Sequence, residues 1–140
     1  MAEAARERLV LSPAHDAELE AAHLVEKIGE TIDFPRDTLA EIKVAVVEAC
    51  LNALEYGRGT VQVEVSAHDG EAAWIEVIVI DEGPGFDPER VARPSLERKL
   101  QSERKRGWGL ELIRHFMDDV EIVSRPGRTE VHMTRHRRGE

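Results

Sequence analysis

The chain has few cysteines, few basic residues and no long hydrophobic run, and each shortage excludes a class of protein. Its 140 residues include one cysteine, Cys50, so no internal disulfide can form, and no zinc-ligand spacing is present. The 19 basic residues are outnumbered by 28 acidic ones, which gives a net charge of −9. A surface of that sign repels nucleic acid and anionic lipid. We therefore expect no direct nucleic-acid partner.

No apolar run approaches the length of about 18 residues that a membrane span requires. Residues 1–8 are charged and carry no signal-peptide core. These absences predict a cytoplasmic protein without a membrane partner. The apolar fraction of 41% argues against disorder, and 140 residues suit one domain of ordinary size. We therefore predict a single domain over residues 1–140.

Hydrophobic periodicity predicts three helices and five strands. The helices cover residues 14–31, 36–56 and 110–117, the first capped by Ser12 before Pro13 and the second ended by Gly57. The strands cover residues 8–12, 60–68, 73–80, 120–124 and 130–134. Strands joined by hairpins form a mixed, largely antiparallel sheet, and the helices must cover one face of it. The predicted fold is an α/β two-layer sandwich.

Two segments stand apart from the regular pattern. Residues 73–80 are apolar at nearly every position, which predicts a central strand covered on both faces. Trp74 and Phe116 are expected in the core. Residues 86–106 have no period, and about twenty irregular residues inside a compact domain predict either a functional lid or a disordered loop.

Polar residues interrupt the second predicted helix at a regular spacing. Glu48, Asn52 and Glu55 lie at i, i+4 and i+7, which places them on one face. An exposed stripe is the ordinary interpretation of such a face. The alternative is chemical, because an amide oxygen at Asn52 suits Mg²⁺, which takes oxygen ligands and shares them with phosphates. A carboxylate at Glu48, one turn away, can orient or deprotonate an attacking hydroxyl.

Asp81 ends a buried strand and begins the segment Asp-Glu-Gly-Pro-Gly-Phe. Its carboxylate can accept a hydrogen bond from the exocyclic amine of adenine, whereas guanine presents an acceptor at that place. Gly83 and Gly85 permit positive φ and let a flat base approach the backbone. An ordinary strand-end turn is the competing interpretation.

A second glycine segment precedes the third predicted helix. Gly107 and Gly109 flank Trp108 just before Leu110, and free N–H groups at a helix N-terminus form an anion site. Neither a Walker loop nor a Rossmann fingerprint is present, because the lysine of the first and the third glycine of the second are missing. Lys105 and Arg106 directly precede the turn and can reach a γ-phosphate.

Taken in order, these motifs resemble those of the GHKL ATPase superfamily. Residues 48–57 are similar to its N-box, residues 81–86 to its first glycine box, and residues 105–110 to its second. The resemblance covers roughly residues 8–134, and it is strongest to the bacterial anti-sigma-factor serine/threonine kinases, the switch-protein kinases of partner-switching pathways.

The resemblance implies a Bergerat fold and a Mg²⁺-ATP-dependent protein serine/threonine kinase. Such kinases phosphorylate a STAS-domain anti-anti-sigma protein, and many also sequester a sigma factor, usually as homodimers. It implies that Asn52 holds Mg²⁺, that Glu48 is the general base, and that Lys105 or Arg106 lies at the phosphates. The remaining residues implied in ATP binding are Asp81, Gly83, Gly85, Gly107, Trp108, Gly109 and Leu110. For the dimer we expect a surface on the first strand and first helix.

Two other functions compete with this one. A non-catalytic, ATP-gated binding protein needs the same residues except Glu48, and it would order the segment before the third helix to create a partner surface. A histidine-kinase fragment is disfavoured, because no dimerising helix pair with a phosphoacceptor histidine precedes the domain. The phenylalanine box of that group is also missing.

Overall fold

A computed structural model describes residues 3–12, 16–56, 60–82 and 106–137. Its helices are α1 (Ala17–Glu30), α2 (Arg36–Tyr56) and α3 (Arg106–Phe116), and its strands are β1 (Glu3–Leu11), β2 (Val61–His68), β3 (Trp74–Asp81), β4 (Asp119–Arg125) and β5 (Arg128–His136). The chain order β1-α1-α2-β2-β3-α3-β4-β5 confirms the predicted succession of elements. Among the described residues no helix is long and apolar enough to cross a membrane.

The five strands form one sheet in the order β1-β2-β3-β5-β4. Each neighbouring pair is antiparallel, and β2–β3 and β4–β5 are the hairpins expected from the sequence. The predicted central position of β3 is confirmed, since it has two neighbours on either side. The three helices pack on one face of this sheet, so the predicted two-layer α/β sandwich is also confirmed.

The face of the sheet beneath the helices, which we call the covered face, carries the aliphatic core. Val65, Val77 and Met133 are fully buried there and lie beside one another on β2, β3 and β5. The other face of β3 is only half-buried. The prediction that β3 is covered on both faces is therefore wrong, because one layer of helices can cover only one face of a sheet.

Trp74 also departs from its predicted place in the core. It lies on the second face of the sheet, stacked on His68 with ring centroids 4.3 Å apart and an interplanar angle of 7°. Its cross-strand position beside His68 follows from the register of β2 and β3. Phe116, in contrast, packs against the core as expected.

Two predicted helix starts differ from the structure. Helix α1 begins at Ala17, not near residue 14, and Asp16 rather than Ser12 precedes its first turn in a left-handed conformation (φ 62°) with no side-chain cap. Strand pairing accounts for this, since β1 continues to the fully buried Leu11 opposite Val61 and leaves Ser12 to follow the strand. Helix α2 has the predicted bounds, whereas α3 begins at Arg106, four residues before Leu110.

Arg135 on β5 fixes the directions of α2 and α3. Its guanidinium donates to Glu41 Oε1 (2.8 Å), in the second turn of α2, and to the carbonyl oxygen of Phe116, the last residue of α3. Arg135 pairs across the sheet with Ile75, near the beginning of β3. Helix α2 therefore starts, and α3 ends, at the end of the sheet where β3 begins.

Close packing at Gly29 supports the same direction for α2. A Cβ added at Gly29 would collide with the side chain of Leu39 and lie 3.3 Å from Ile75 Cδ1, so the first turn of α2 lies beside the start of β3. From there α2 rises about 1.5 Å per residue and β3 about 3.3 Å. The stretch of α2 from Leu39 to Asn52 therefore spans about the same distance as the stretch of β3 from Ile75 to Asp81. Asn52 accordingly lies at the end of β3 that carries Asp81.

Candidate functional site

The ends of three elements converge at one end of the covered face. Helix α2 brings Glu48 and Asn52, β3 brings Asp81 at its last position, and α3 begins there because it runs opposite to α2. The sequence had placed these residues in separate motifs. The fold brings them together because α2 and β3 run in the same direction from the Arg135 end of the sheet.

The polar residues of α2 differ in depth. Asn52 is buried, with 7% of its surface exposed, whereas Glu48, one turn earlier, is half-buried. Glu55 is exposed near the end of the helix. An amide held at that depth and a carboxylate one turn away form a pair that can meet a ligand from the same side. Glu55 lies beside this pair in sequence but belongs to the solvent-exposed surface.

Cys50 lies between these two residues in sequence and plays a different role. It is fully buried in the core on the opposite side of α2, as the sequence predicted. Burial raises the pKa of the Cys50 thiol to about 12, with a smaller contribution from Glu18. The thiol therefore stays protonated at neutral pH and is neither a nucleophile nor a metal ligand.

Asp81 has a polar neighbour that the sequence analysis missed. It is 5% exposed, and Thr129 lies opposite it on β5 and is fully buried. Thr129 Oγ1 lies 3.1 Å from Ser124 Oγ on β4. Carboxylate and hydroxyl thus lie side by side at one end of a face whose other buried side chains are apolar. The signal was available, because Thr129 shares the alternation of Val131 and Met133 and so occupies a core-facing position.

The second glycine segment forms the first turn of α3 instead of a turn before it. Arg106, Gly107, Trp108 and Gly109 have helical backbones, and the N–H groups of a first turn have no acceptor within the helix. Glycine destabilises a helix less at these positions than in its interior, because the N–H groups of the first turn make no hydrogen bonds within the helix. Leu110, predicted to contact the ligand, is 1% exposed and anchors α3 in the core.

Several predicted site residues lie outside the described part of the chain. Gly83 and Gly85 of the first glycine segment and Lys105 before α3 belong to residues 83–105. The predicted lid or loop, residues 86–106, falls in the same range except for its last residue.

The described donor set fits an adenine nucleotide with a divalent cation. A buried carboxylate beside a buried hydroxyl matches the hydrogen-bonding edge of a base, and an amide oxygen matches a hard cation that also binds phosphates. The start of α3 offers backbone N–H groups and the positive end of a helix dipole to anions. These groups lie at the same end of the fold.

Comparison with protein families and known proteins gives a consistent result. A family model described as the histidine kinase-like ATPase domain matches residues 11–135. The anti-sigma F factor of Bacillus licheniformis is 35% identical over 112 residues, which are 75% of this chain and 74% of that protein. The anti-sigma F factor of Caldanaerobacter subterraneus subsp. tengcongensis is 34% identical over 122 residues, covering 83% of this chain and 82% of that protein.

Solved structures share the fold. The RsbU and RsbW domains of a Mycobacterium tuberculosis protein superpose with a TM-score of 0.63 at 19% identity, over 94% of this chain and 32% of that chain. The SiaB–SiaC complex from Pseudomonas aeruginosa gives a TM-score of 0.53 at 11% identity, over 96% of this chain and 90% of that chain. Identities this low describe the fold alone.

Proposed function

The chain belongs to the histidine kinase-like ATPase family as a relative of the bacterial anti-sigma F factors, and we propose that it is a Mg²⁺-ATP-dependent protein serine/threonine kinase. The observation that carries this proposal is the placement of Glu48, Asn52 and Asp81 at the end of the sheet where α3 begins. A carboxylate for chemistry, an amide for a cation and a buried acid for a base all face that end.

Each described group has one task in nucleotide binding. Asp81 accepts a hydrogen bond from the adenine amine, and the hydroxyl of Thr129 beside it completes the polar edge for the base. Asn52 offers its amide oxygen to Mg²⁺. The first-turn N–H groups of α3 hold phosphate oxygens, and Gly83, Gly85 and Lys105 join them in this proposal. ATP supplies the phosphoryl group, and Mg²⁺ offsets the charge on its phosphates.

Glu48 is the general base of the transfer. It accepts the proton of the attacking serine or threonine hydroxyl as that oxygen bonds to the γ-phosphorus, while the bond from phosphorus to the ADP oxygen breaks. Lys105 and Arg106 balance the charge that remains on the departing ADP. A half-buried carboxylate is suited to this role, because it is reachable from solvent but shielded from bulk water.

We infer the partners from the relatives. Proteins named anti-sigma F factor match about three quarters or more of this chain at 34–35% identity. A STAS-domain anti-anti-sigma protein is accordingly the proposed substrate, and a sigma factor is the proposed second partner.

Phosphoryl transfer from [γ-³²P]ATP to a STAS-domain protein encoded in the same genome tests the proposal. Glu48→Gln should lower the transfer rate at least 100-fold, the lower range for removal of a general base. Glu55→Gln is the matched control, since it makes the same change on an exposed position of the same helix, and it should transfer at the wild-type rate.

ATP affinity must be measured beside the rate, because the proposed role of Glu48 is chemical. Glu48→Gln should bind Mg²⁺-ATP within about threefold of the wild type. Wild-type protein that binds ATP and its partner but transfers no label would overturn the kinase and establish the ATP-gated binding protein instead. Transfer that is undiminished in Glu48→Gln would remove Glu48 from the mechanism.

A further inference from the structure

The row of residues that ends the covered face at the nucleotide end changes from apolar to polar across the sheet. Val61 on β2 lies beside Asp81 on β3, and Asp81 lies beside Thr129 on β5. Thr129 in turn lies beside Ser124 on β4. The sheet therefore places three oxygen-bearing side chains in consecutive positions, one strand spacing of about 4.8 Å apart. The proposed nucleotide site uses the first two and leaves Ser124 without a role.

Ser124 faces the same side of the sheet as the core. It continues the alternation of Val120 and Ile122, which pack against the core from β4. Strand β4 is an edge strand, and Ser124 is exposed near its end. The serine is thus open to water on one side and in contact with the fully buried Thr129 on the other.

A hydrogen bond joins the hydroxyl groups of Thr129 and Ser124, with Oγ1 and Oγ 3.1 Å apart. One hydroxyl must donate and the other accept, and each has one proton and two lone pairs. Thr129 is fully buried, so bulk water does not satisfy the part of its hydroxyl that this bond leaves over. The direction of the bond therefore decides what Thr129 offers to a ligand.

The neighbouring carboxylate of Asp81 favours one direction of this bond. If Thr129 donated to Ser124, only the lone pairs of its oxygen would remain, at a position beside a carboxylate that is itself an acceptor. Two acceptors side by side in a buried site repel each other and leave no proton for a ligand. If Ser124 donates instead, Thr129 keeps its own proton for a group on the ligand.

The edge of adenine calls for that proton. It presents an amine, which donates to Asp81 in the proposed site, and beside the amine a ring nitrogen that can only accept. A donated hydroxyl proton is the group that matches this nitrogen. Hydrogen bonds in a chain polarise one another, so a bond from Ser124 to Thr129 also strengthens the bond that Thr129 donates.

We propose that Ser124 is a positioning residue of the nucleotide site, which donates to Thr129 and thereby directs the hydroxyl proton of Thr129 to the ring nitrogen of adenine. Ser124 touches neither the base nor the phosphates, and it acts through Thr129 alone. The inference rests on the adenine site of the proposed function but not on phosphoryl transfer. Recognition of the base thus extends from the middle of the sheet to its edge strand.

Isothermal titration calorimetry with Mg²⁺-ATP tests the proposal through single and double variants of this pair. Ser124→Ala should weaken ATP binding by roughly 2- to 12-fold, the range for one neutral hydrogen bond. Thr129→Val should weaken it at least as much, because it removes the donated proton itself. Ser124→Ala should have no further effect in the Thr129→Val background, since the serine acts only through the threonine. Ser124→Thr keeps a hydroxyl on the strand and should bind ATP as the wild type does.

A nucleotide analogue separates positioning of the hydroxyl from a merely structural role. 1-Deaza-ATP keeps the amine of adenine but has a C–H group in place of the neighbouring ring nitrogen, so it cannot accept from Thr129. Ser124→Ala should therefore bind 1-deaza-ATP within about twofold of the wild type. Ser66→Ala is the matched control, since it removes a serine hydroxyl that hydrogen-bonds His68 on the other face of the sheet, and it should leave ATP affinity unchanged.

Each outcome decides the role of Ser124 once thermal unfolding midpoints show that the variants are folded. The proposal is overturned if Ser124→Ala binds ATP as the wild type does, if it loses affinity for ATP and 1-deaza-ATP alike, or if its loss adds to that of Thr129→Val. A loss in Asp81→Asn without one in Ser124→Ala would keep the adenine site and remove only Ser124. Wild-type protein that binds no ATP would end both, whereas a lack of phosphoryl transfer alone would touch only the kinase proposal.

Discussion

The covered face of the sheet and the face opposite the helices, which we call the open face, differ in the residues that break the usual alternation of apolar and polar side chains. The buried side chains that the described strands place on the covered face are apolar except for Asp81 and Thr129, which lie at one end of it. The open face is largely polar and ion-paired, and its apolar exceptions are the side chains of β3 such as Ile78, together with Val10 and Val123 on the outer strands. Each exception costs free energy in the isolated fold, through desolvation in one case and exposure in the other. The buried polar exception lies at the proposed nucleotide site.

The largest expected effect is on Mg²⁺-ATP affinity, and it is tested by changing one aspartate on each face. Asp81→Asn removes a buried charge from the proposed adenine contact, and it should weaken Mg²⁺-ATP binding by about 10- to 150-fold, the usual range for a hydrogen bond to a charged group. Asp119→Asn makes the same change on the open face and should leave ATP binding unaltered. Isothermal titration calorimetry measures both. Equal effects from the two variants would show that global charge, not the position of Asp81, controls the affinity.

An intermediate effect is expected on the free energy of unfolding, and it is tested at two neighbouring residues of β3. Val77 is fully buried on the covered face, whereas Ile78 is half-buried on the open face. Val77→Ala should lower the free energy of unfolding by about 2 kcal/mol, because it leaves a cavity in the core. Ile78→Ala deletes more atoms yet should cost less than about 1 kcal/mol in the monomer.

Urea unfolding of the two variants and the wild type provides the measurement. If Ile78→Ala destabilises the monomer as much as Val77→Ala does, the open face is covered within one chain and the contrast between the faces fails.

The smallest expected effect concerns Cys50, which α2 buries in the core. Since burial raises the pKa of its thiol to about 12, the thiol should react with a disulfide reagent at pH 8 far more slowly in the native protein than in urea. The unfolded chain has the lower thiol pKa and loses its proton first as the pH rises. The contribution of the buried, protonated Cys50 thiol to the free energy of unfolding is thus complete below pH 9, and it declines as the pH rises toward about 12.

A thiol titration with and without urea, with Cys50→Ser as the blank, checks this prediction. Rapid modification of the native protein at pH 8 would mean that α2 opens locally at Cys50. Such opening would also disturb Asn52, two residues away, so the result bears on the site as well as on the core.

Helix α2 shows how much of this fold can be predicted from sequence. Its bounds follow from apolar residues at steps of three and four, and these same steps place Glu48 and Asn52 one turn apart. Strong periodicity of this kind depends on local residues alone. The chain order of strands and the two-layer architecture follow from the same information.

The errors arose where long-range pairing decides the outcome. Ser12 has the side chain of a helix cap, but β1 pairs with β2 about fifty residues away and extends to Leu11. The apolar run of β3 gives no sign of which face is covered, so Trp74 was expected in the core. Thr129 was missed because its importance comes from Asp81, which is its neighbour only in the folded sheet.

The terminal strands of the chain have a practical consequence for how the protein can be attached to other molecules. Strand β1 starts at Glu3 beside His68, and β5 ends at His136 beside Trp74. The start of β1 and the end of β5 therefore lie at the end of the sheet that is far from Asp81. A surface tether, fluorophore or fused module joined through either end would project away from the nucleotide. Immobilised protein should therefore keep its ligand entrance facing the buffer.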